Sequence, residues 1–239
     1  MRTFIIILSV FLMSGYLIGQ TTELSFRLNS GLFSFTGASA ESVEKINYNL
    51  ETEDGYTNNP YGNKPALSIG ASINLSRILS SNLKFGIDLA YEILRSKIEI
   101  DGVHQNSRII NETIVANGQS YLNFSYINLF PSIGYRIKVS DFNLDIDGGM
   151  DFGYCLKAYE RGYAKSSTRE YETQRDRKTI NFDFRPRLQI AFIKNSLGLY
   201  LGYSVGLVNY KSGFAGGVNE AYSNMIRFGL IYKPKFKSL

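Results

Sequence analysis

Polar and apolar positions alternate along much of this chain. In "LKFGIDLAYEIL", Leu83, Phe85, Ile87, Leu89, Tyr91 and Ile93 interleave with Lys84, Gly86, Asp88, Ala90 and Glu92, and a period of two marks a strand with one apolar face. The same pattern runs through Leu67 to Leu75, Ile127 to Ile137, Phe182 to Phe192, Leu197 to Leu207 and Ile226 to Tyr232. A first strand begins at Leu24, Phe26 and Leu28 and is less regular at "SGLFSF", where a bulge is expected to switch the register. With "FNLDIDGGMDFGY", Phe142 to Tyr154, the pattern predicts eight strands.

The connections alternate in length. Those at Ser80–Asn82, Val139–Asp141 and Asn195–Ser196 are tight, whereas roughly 38–64, 102–119, 162–174 and 211–221 are long and polar. Short turns at one end and long loops at the other define an up-and-down meander, with both termini at the short-turn end.

The ends and the composition narrow the reading. "MRTFIIILSVFLMSGYLIGQ" carries one cation, an apolar run from Phe4 to Met13 and small or polar residues before Gln20, the pattern of a secretory signal peptide over residues 1–20. Residues 21–239 are then one all-β domain. Beyond the signal there is no window of 18 apolar residues, which excludes a helical span. The net charge of +5 is modest and unclustered, so no nucleic-acid partner is expected. One cysteine, Cys155, allows no internal disulfide and reads as a small filler. With 17 tyrosines, 16 phenylalanines and no tryptophan, tyrosine is the interfacial aromatic available at a membrane.

Two architectures fit an eight-stranded meander: a soluble, lipocalin-like carrier with its apolar face inside, and a membrane barrel with that face outside. The polar faces discriminate. They carry Gly70, Gly86, Gly134, Gly149, Gly153, Gly198, Gly202, Gly206 and Gly229 with Ser68, Ser72, Ser132 and Ser204, residues poorly suited to a solvated strand surface but fitted to a narrow lumen. Eight apolar faces turned inward would overfill such a barrel, and turned outward they make a belt about 10 residues tall. Phe26, Phe85, Tyr135, Phe142, Phe192 and Tyr232 then lie near the short-turn end, and Tyr91, Tyr154 and Tyr203 toward the other, as aromatic girdles do.

The signal peptide, the eight alternating segments, the loop asymmetry and the final "RFGLIYKPKF" resemble the small outer-membrane β-barrel family that includes PorT-like proteins, and more loosely the OmpX/OmpA-type barrels. Arg227, Gly229 and Tyr232 match the C-terminal insertion signal of such barrels, while Pro234 holds the place of the usual terminal aromatic, with Phe236 and Leu239 beyond it. The resemblance implies an all-β, eight-stranded antiparallel up-and-down transmembrane β-barrel with short periplasmic turns and long extracellular loops. It implies a monomer in the bacterial outer membrane, among outer-membrane lipids and lipopolysaccharide, inserted by the barrel assembly machinery. For PorT-like relatives it implies a role accessory to protein secretion.

A lumen made of the polar faces would hold Arg27, Lys84, Asp88, Glu92, Arg136, Asp145, Asp147, Asp151, Lys157, Asp183, Arg185, Arg187 and Arg227. Unpaired charges there would be costly, so crossing ion pairs are expected, with Asp145, Asp147 and Asp151 meeting Arg185 and Arg187 of the next segment. Asp145, Asp147 and Gly149 echo the start of a calcium loop, but the closing glutamate is absent, since position 156 is Leu156. The three aspartates therefore read as an interior acidic stripe.

Catalysis has thin support. The single histidine, His104, lies in "DGVHQNS" with Asp101 and Ser107 nearby; a lipid-modifying barrel enzyme is the alternative it raises. No cofactor and no metal cluster are indicated. The first long loop, with Tyr48, Tyr56 and Tyr61 among acids, suits a protein or glycan partner. The third, "RGYAKSSTREYETQRDRK", is cationic enough to meet lipopolysaccharide. The reading is a non-enzymatic barrel, structural or adhesive, or accessory to secretion.

Overall fold

The computed structural model describes residues 20–214 and 219–234. Residues 1–19 of the expected signal peptide and the terminal Phe236 and Leu239 fall outside the described residues. Among the described residues the strands are β1 (Thr21–Thr36), β2 (Val43–Asn49), β3 (Asp54–Thr57), β4 (Lys64–Ile78), β5 (Leu83–Asn106), β6 (Asn111–Val139), β7 (Phe142–Lys165), β8 (Glu170–Asp176), β9 (Phe182–Lys194), β10 (Leu197–Val205) and β11 (Tyr222–Tyr232). Eight of them form a closed antiparallel ring in the order β1, β4, β5, β6, β7, β9, β10, β11, with β11 pairing back onto β1. These are the eight strands the alternation predicts.

Closure involves a stagger. Following paired residues round the ring from Glu23, through Ser76, Gly86, Ser132, Gly149, Arg187, Ser204 and Met225, leads back to β1 at Phe33, ten residues further along. With eight strands this offset tilts them roughly 40° from the axis. The tight turns each contain one residue in the left-handed region, Asn82 (φ 66°), Ser140 (φ 47°) and Asn195 (φ 54°); asparagine tolerates that conformation best among residues bearing a Cβ.

The apolar positions face outward. Leu28, Leu188 and Leu199 are 63, 58 and 59 % exposed, and Phe26, Tyr135, Phe192, Tyr232, Tyr91, Tyr154 and Tyr203 are exposed on the same face. A continuous apolar belt of this size suits hydrocarbon, not water. The bulge expected at "SGLFSF" is absent: β1 pairs with β11 without a break from Phe26 to Thr36. Phe33 and Phe35 keep the inward parity of Arg27 and Asn29, so it is the character of the lumen that changes there, from charged to aromatic.

The long connections are mostly strand. β5 and β6 continue as one hairpin whose tip is only 107–110, β7 continues to Lys165, and β8 returns along it. β2 pairs in parallel with the outer part of β5, and β3 pairs with β2. β3 then meets β8 by close contact, a Cβ at Gly55 falling 2.5 Å from the Glu172 carbonyl oxygen. The six segments curl around an apolar core of Ile46, Tyr48, Ile98, Ile100, Val103 and Tyr171. This outer storey stands directly on the ring.

Candidate functional site: a filled lumen and its outer storey

At the short-turn end Lys84 of β5 reaches across to β7, placing Nζ 2.9 Å from Asp145 Oδ2 and 2.8 Å from Asp147 Oδ2. The residue between them in register is Gly134 of β6, paired with Lys84 on one side and Asp147 on the other. A Cβ there would lie 2.3 Å from Asp147 Oδ1, so a glycine is needed for the two charges to meet over it. Arg136 donates to Asp145 from Nε at 2.6 Å and Nη2 at 2.8 Å, and to Glu23 at 2.6 and 2.9 Å. Lys233 also donates to Glu23.

Deeper in the ring Arg27 donates to Asp88 at 2.7 Å. Arg227 bridges Glu92 and Asp151, the latter at 3.0 Å, and Arg187 reaches Asp151 at 3.3 Å. Arg185 donates to Asn128 at 2.7 Å and lies 3.5 Å from Asp183. Asp183 accepts hydroxyl hydrogen bonds from Tyr210 and Ser223, both at 2.7 Å. Arg187 also lies over the Phe130 ring, 4.3 Å from its centroid.

The expected pairing of all three aspartates with Arg185 and Arg187 holds only for Asp151. The ladder sets Asp145 opposite Ala191 and Asp147 opposite Gln189, nearer the turn than either arginine, and the cations at that level are Lys84 and Arg136. Lys157 leaves the lumen altogether. Ser125 pairs with Lys157 but Tyr126 pairs with Cys155, so Leu156 is an extra, bulged residue; beyond it the inward positions are Ala158, Glu160, Gly162 and Ala164. Strict alternation therefore misses Glu160. The doublet Leu156–Lys157, followed by small residues at every second place, is the signal that could have found it.

The interior thus holds seven cations (Arg27, Lys84, Arg136, Arg185, Arg187, Arg227, Lys233) and seven carboxylates (Glu23, Asp88, Glu92, Asp145, Asp147, Asp151, Asp183) linked by the contacts above. Above them an aromatic layer fills the ring: Phe35 meets Tyr61 at 5.0 Å and Tyr210 at 4.9 Å, and Phe33 at 5.2 Å, all edge-on. Next comes Glu160, fully buried, which accepts from Thr57 N (3.0 Å), Thr57 Oγ1 (2.9 Å), Ser120 Oγ (3.1 Å) and Arg177 Nε (2.7 Å). This carboxylate ties β3, β6 and the segment after β8 to β7.

Other candidates are dispersed. His104 Nδ1 lies 3.0 Å from Thr113 Oγ1, Ser107 Oγ accepts from the tip amides of Ile109 and Ile110, and Asp101 lies 3.7 Å from Lys45. Each of the three has a different partner, and no triad forms. Cys155 is buried against the aromatic layer. Tyr48 and Tyr61, expected on a gripping surface, are turned into the two cores. The cations of the third loop are largely used within the protein: Arg169 meets Tyr48 and Glu53, Arg175 lies over Tyr56, Arg177 binds Glu160, and Lys165 pairs with Glu170.

Structural similarity extends to Ail, the attachment invasion locus protein of Yersinia pestis, with 11 % identity, a TM-score of 0.37, and 91 % of this chain and 99 % of that one covered. It extends also to Neisserial surface protein A, with 8 % identity, a TM-score of 0.36, and 90 % and 99 % covered. The translocator domain of the autotransporter NalP from Neisseria meningitidis is similar at 10 % identity and a TM-score of 0.28, with 93 % and 91 % covered. No curated protein sequence matches. The family model for the outer membrane protein beta-barrel domain matches residues 20–212, most of the chain, and the protein belongs to that family of bacterial outer-membrane barrels.

Proposed function

We propose that this protein is a non-conducting, non-enzymatic, monomeric barrel that holds its outer storey at the cell surface as a rigid platform for a protein or glycan partner. The observation that carries this reading is the second core. Strands β2, β3 and β8 and the outer halves of β5, β6 and β7 bury Ile46, Ile98, Val103 and Tyr171 among themselves. Ordering these segments costs conformational entropy that a lumen plug would not require, and a folded projection offers a pre-organised surface to a partner. The filled ring argues against a pore, since eight strands leave little space once side chains meet across it.

Two measurements test this. Planar-bilayer recordings of the purified protein are expected to give no stable conductance steps. Adherence to immobilised glycans and proteins is expected to fall when β2–β3, the outer β5–β6 hairpin and β8 are replaced by short turns, while heat-modifiable migration persists. Steady conductance would overturn the plug, and unchanged adherence the platform.

A further inference from the structure

On the outside of the wall, the apolar belt of β5, β6 and β7 gives way to polar residues over a few rows. The row of Tyr91, Ile127 and Tyr154 is followed by one of Ile93, Ser125 and the bulged pair Leu156–Lys157, in which Leu156 is still exposed. Two further rows follow on the same face: Arg95, Asn123 and Tyr159, then Lys97, Tyr121 and Arg161. Strands lie about 4.8 Å apart, so each row spans roughly 10 Å.

Arg95 is held in place, with Nε donating to Asn123 Oδ1 at 2.8 Å and its guanidinium 4.9 Å from the Tyr121 ring centroid. The flanking cations are already engaged: Lys64 meets Glu99 at 2.5 Å, and Lys157 meets Asp176 at 3.1 Å. The hydrogen bond from Lys64, reinforced by its charge, holds the Glu99 carboxyl below its ordinary range. Arg95, Lys97 and Arg161 differ, having no carboxylate within ion-pair distance among the described residues. Every cation of the lumen, by contrast, has one.

We propose that Arg95, Lys97 and Arg161 bind the phosphate groups of a phosphorylated glycolipid of the outer leaflet, whose acyl chains lie along Leu89, Tyr91, Ile127 and Tyr154 in the belt below. Three cations outside ion-pair distance of any described carboxylate, in the two rows directly above Ile93 and Leu156, stand at the depth of a lipid headgroup, and the adjoining aromatics suit that boundary. A free anion would have no use for the apolar surface beneath, whereas a phosphorylated lipid uses both. The site is independent of any partner above it, so it stands or falls separately from the platform reading.

The test uses the full chain in neutral detergent at low salt, with lipid retention read by native mass spectrometry. The probes are bisphosphorylated lipid A, the same lipid with its phosphates removed, and inorganic pyrophosphate. Each cation near an anionic headgroup contributes about fivefold. The triple variant R95Q/K97Q/R161Q is therefore expected to hold bisphosphorylated lipid A on the order of 100-fold more weakly, Arg161→Gln alone about fivefold more weakly, and Lys138→Gln at the opposite end as well as the parent. The phosphate-free lipid is expected to bind parent and triple variant equally weakly, and high salt to weaken only the phosphorylated one. Equal retention by parent and triple variant, or by both lipids, would overturn the assignment. Full displacement by pyrophosphate at the lipid's own concentration would assign the cluster to free phosphate instead.

Discussion

Lys84 lies between two carboxylates, whose charge it balances together with Arg136, and Gly134 makes room for it. Replacing Lys84 with methionine would leave Asp145 with Arg136 alone and Asp147 with none of its present ion pairs. A stranded buried charge costs about 3–5 kcal/mol, and urea unfolding in lipid vesicles should report a loss of that order. Asp147→Asn removes one of the two contacts and is expected to cost less, about 1–2 kcal/mol. Calcium should move the melting point of neither parent nor variant, and a calcium-dependent shift abolished by Asp147→Asn would refute the ion-pair account of the acidic stripe. Gly134→Ala would force a Cβ to within 2.4 Å of the Ile146 carbonyl oxygen and 2.3 Å of Asp147 Oδ1; overpacking of this kind costs about 1–3 kcal/mol by the same measurement.

Among the elements, β7 shows what one extra residue does. Deleting Leu156 would turn the bulge into a regular ladder without changing the parity of Ala158 or Glu160, so the shortened protein should fold and keep its heat-modifiable migration. Deleting Arg161 instead would rotate Gly162 to Lys165 to the wrong face and disrupt the pairing with β8. Glu160→Gln is expected to loosen β3 and the segment after β8 while leaving the ring intact, seen as new proteolytic cleavage between 50 and 57 with the barrel core resistant. The ring strands were legible because lipid on one side and a cramped lumen on the other impose strict alternation on ten residues at a time. β2, "VEKINYN", offers only Ile46 and Tyr48 as a pattern, and its partner is a parallel strand some fifty residues away; nothing local marks it. Short of the bulge at Leu156 the luminal charges could be found by parity, but their partners could not. Which cation meets Asp145 depends on the stagger of the ring, and on a glycine's making room between two strands.

At the scale of the whole molecule, charge is managed differently inside and outside. The lumen balances its charges pair by pair, as burial requires, and the storey above replaces charge with an apolar core. Among the described residues the small excess of positive charge thus lies outside the paired lumen, where water, salt and headgroups can answer it. The filled interior also imposes an order in time. No passage through the finished ring would admit a polypeptide, so β2, β3, β8 and the outer hairpin have to reach the far side of the bilayer while β1 and β11 are still apart. Biogenesis therefore runs as export first and sealing second, and the seam between the first and last strands is the door through which the rest of the protein has already gone.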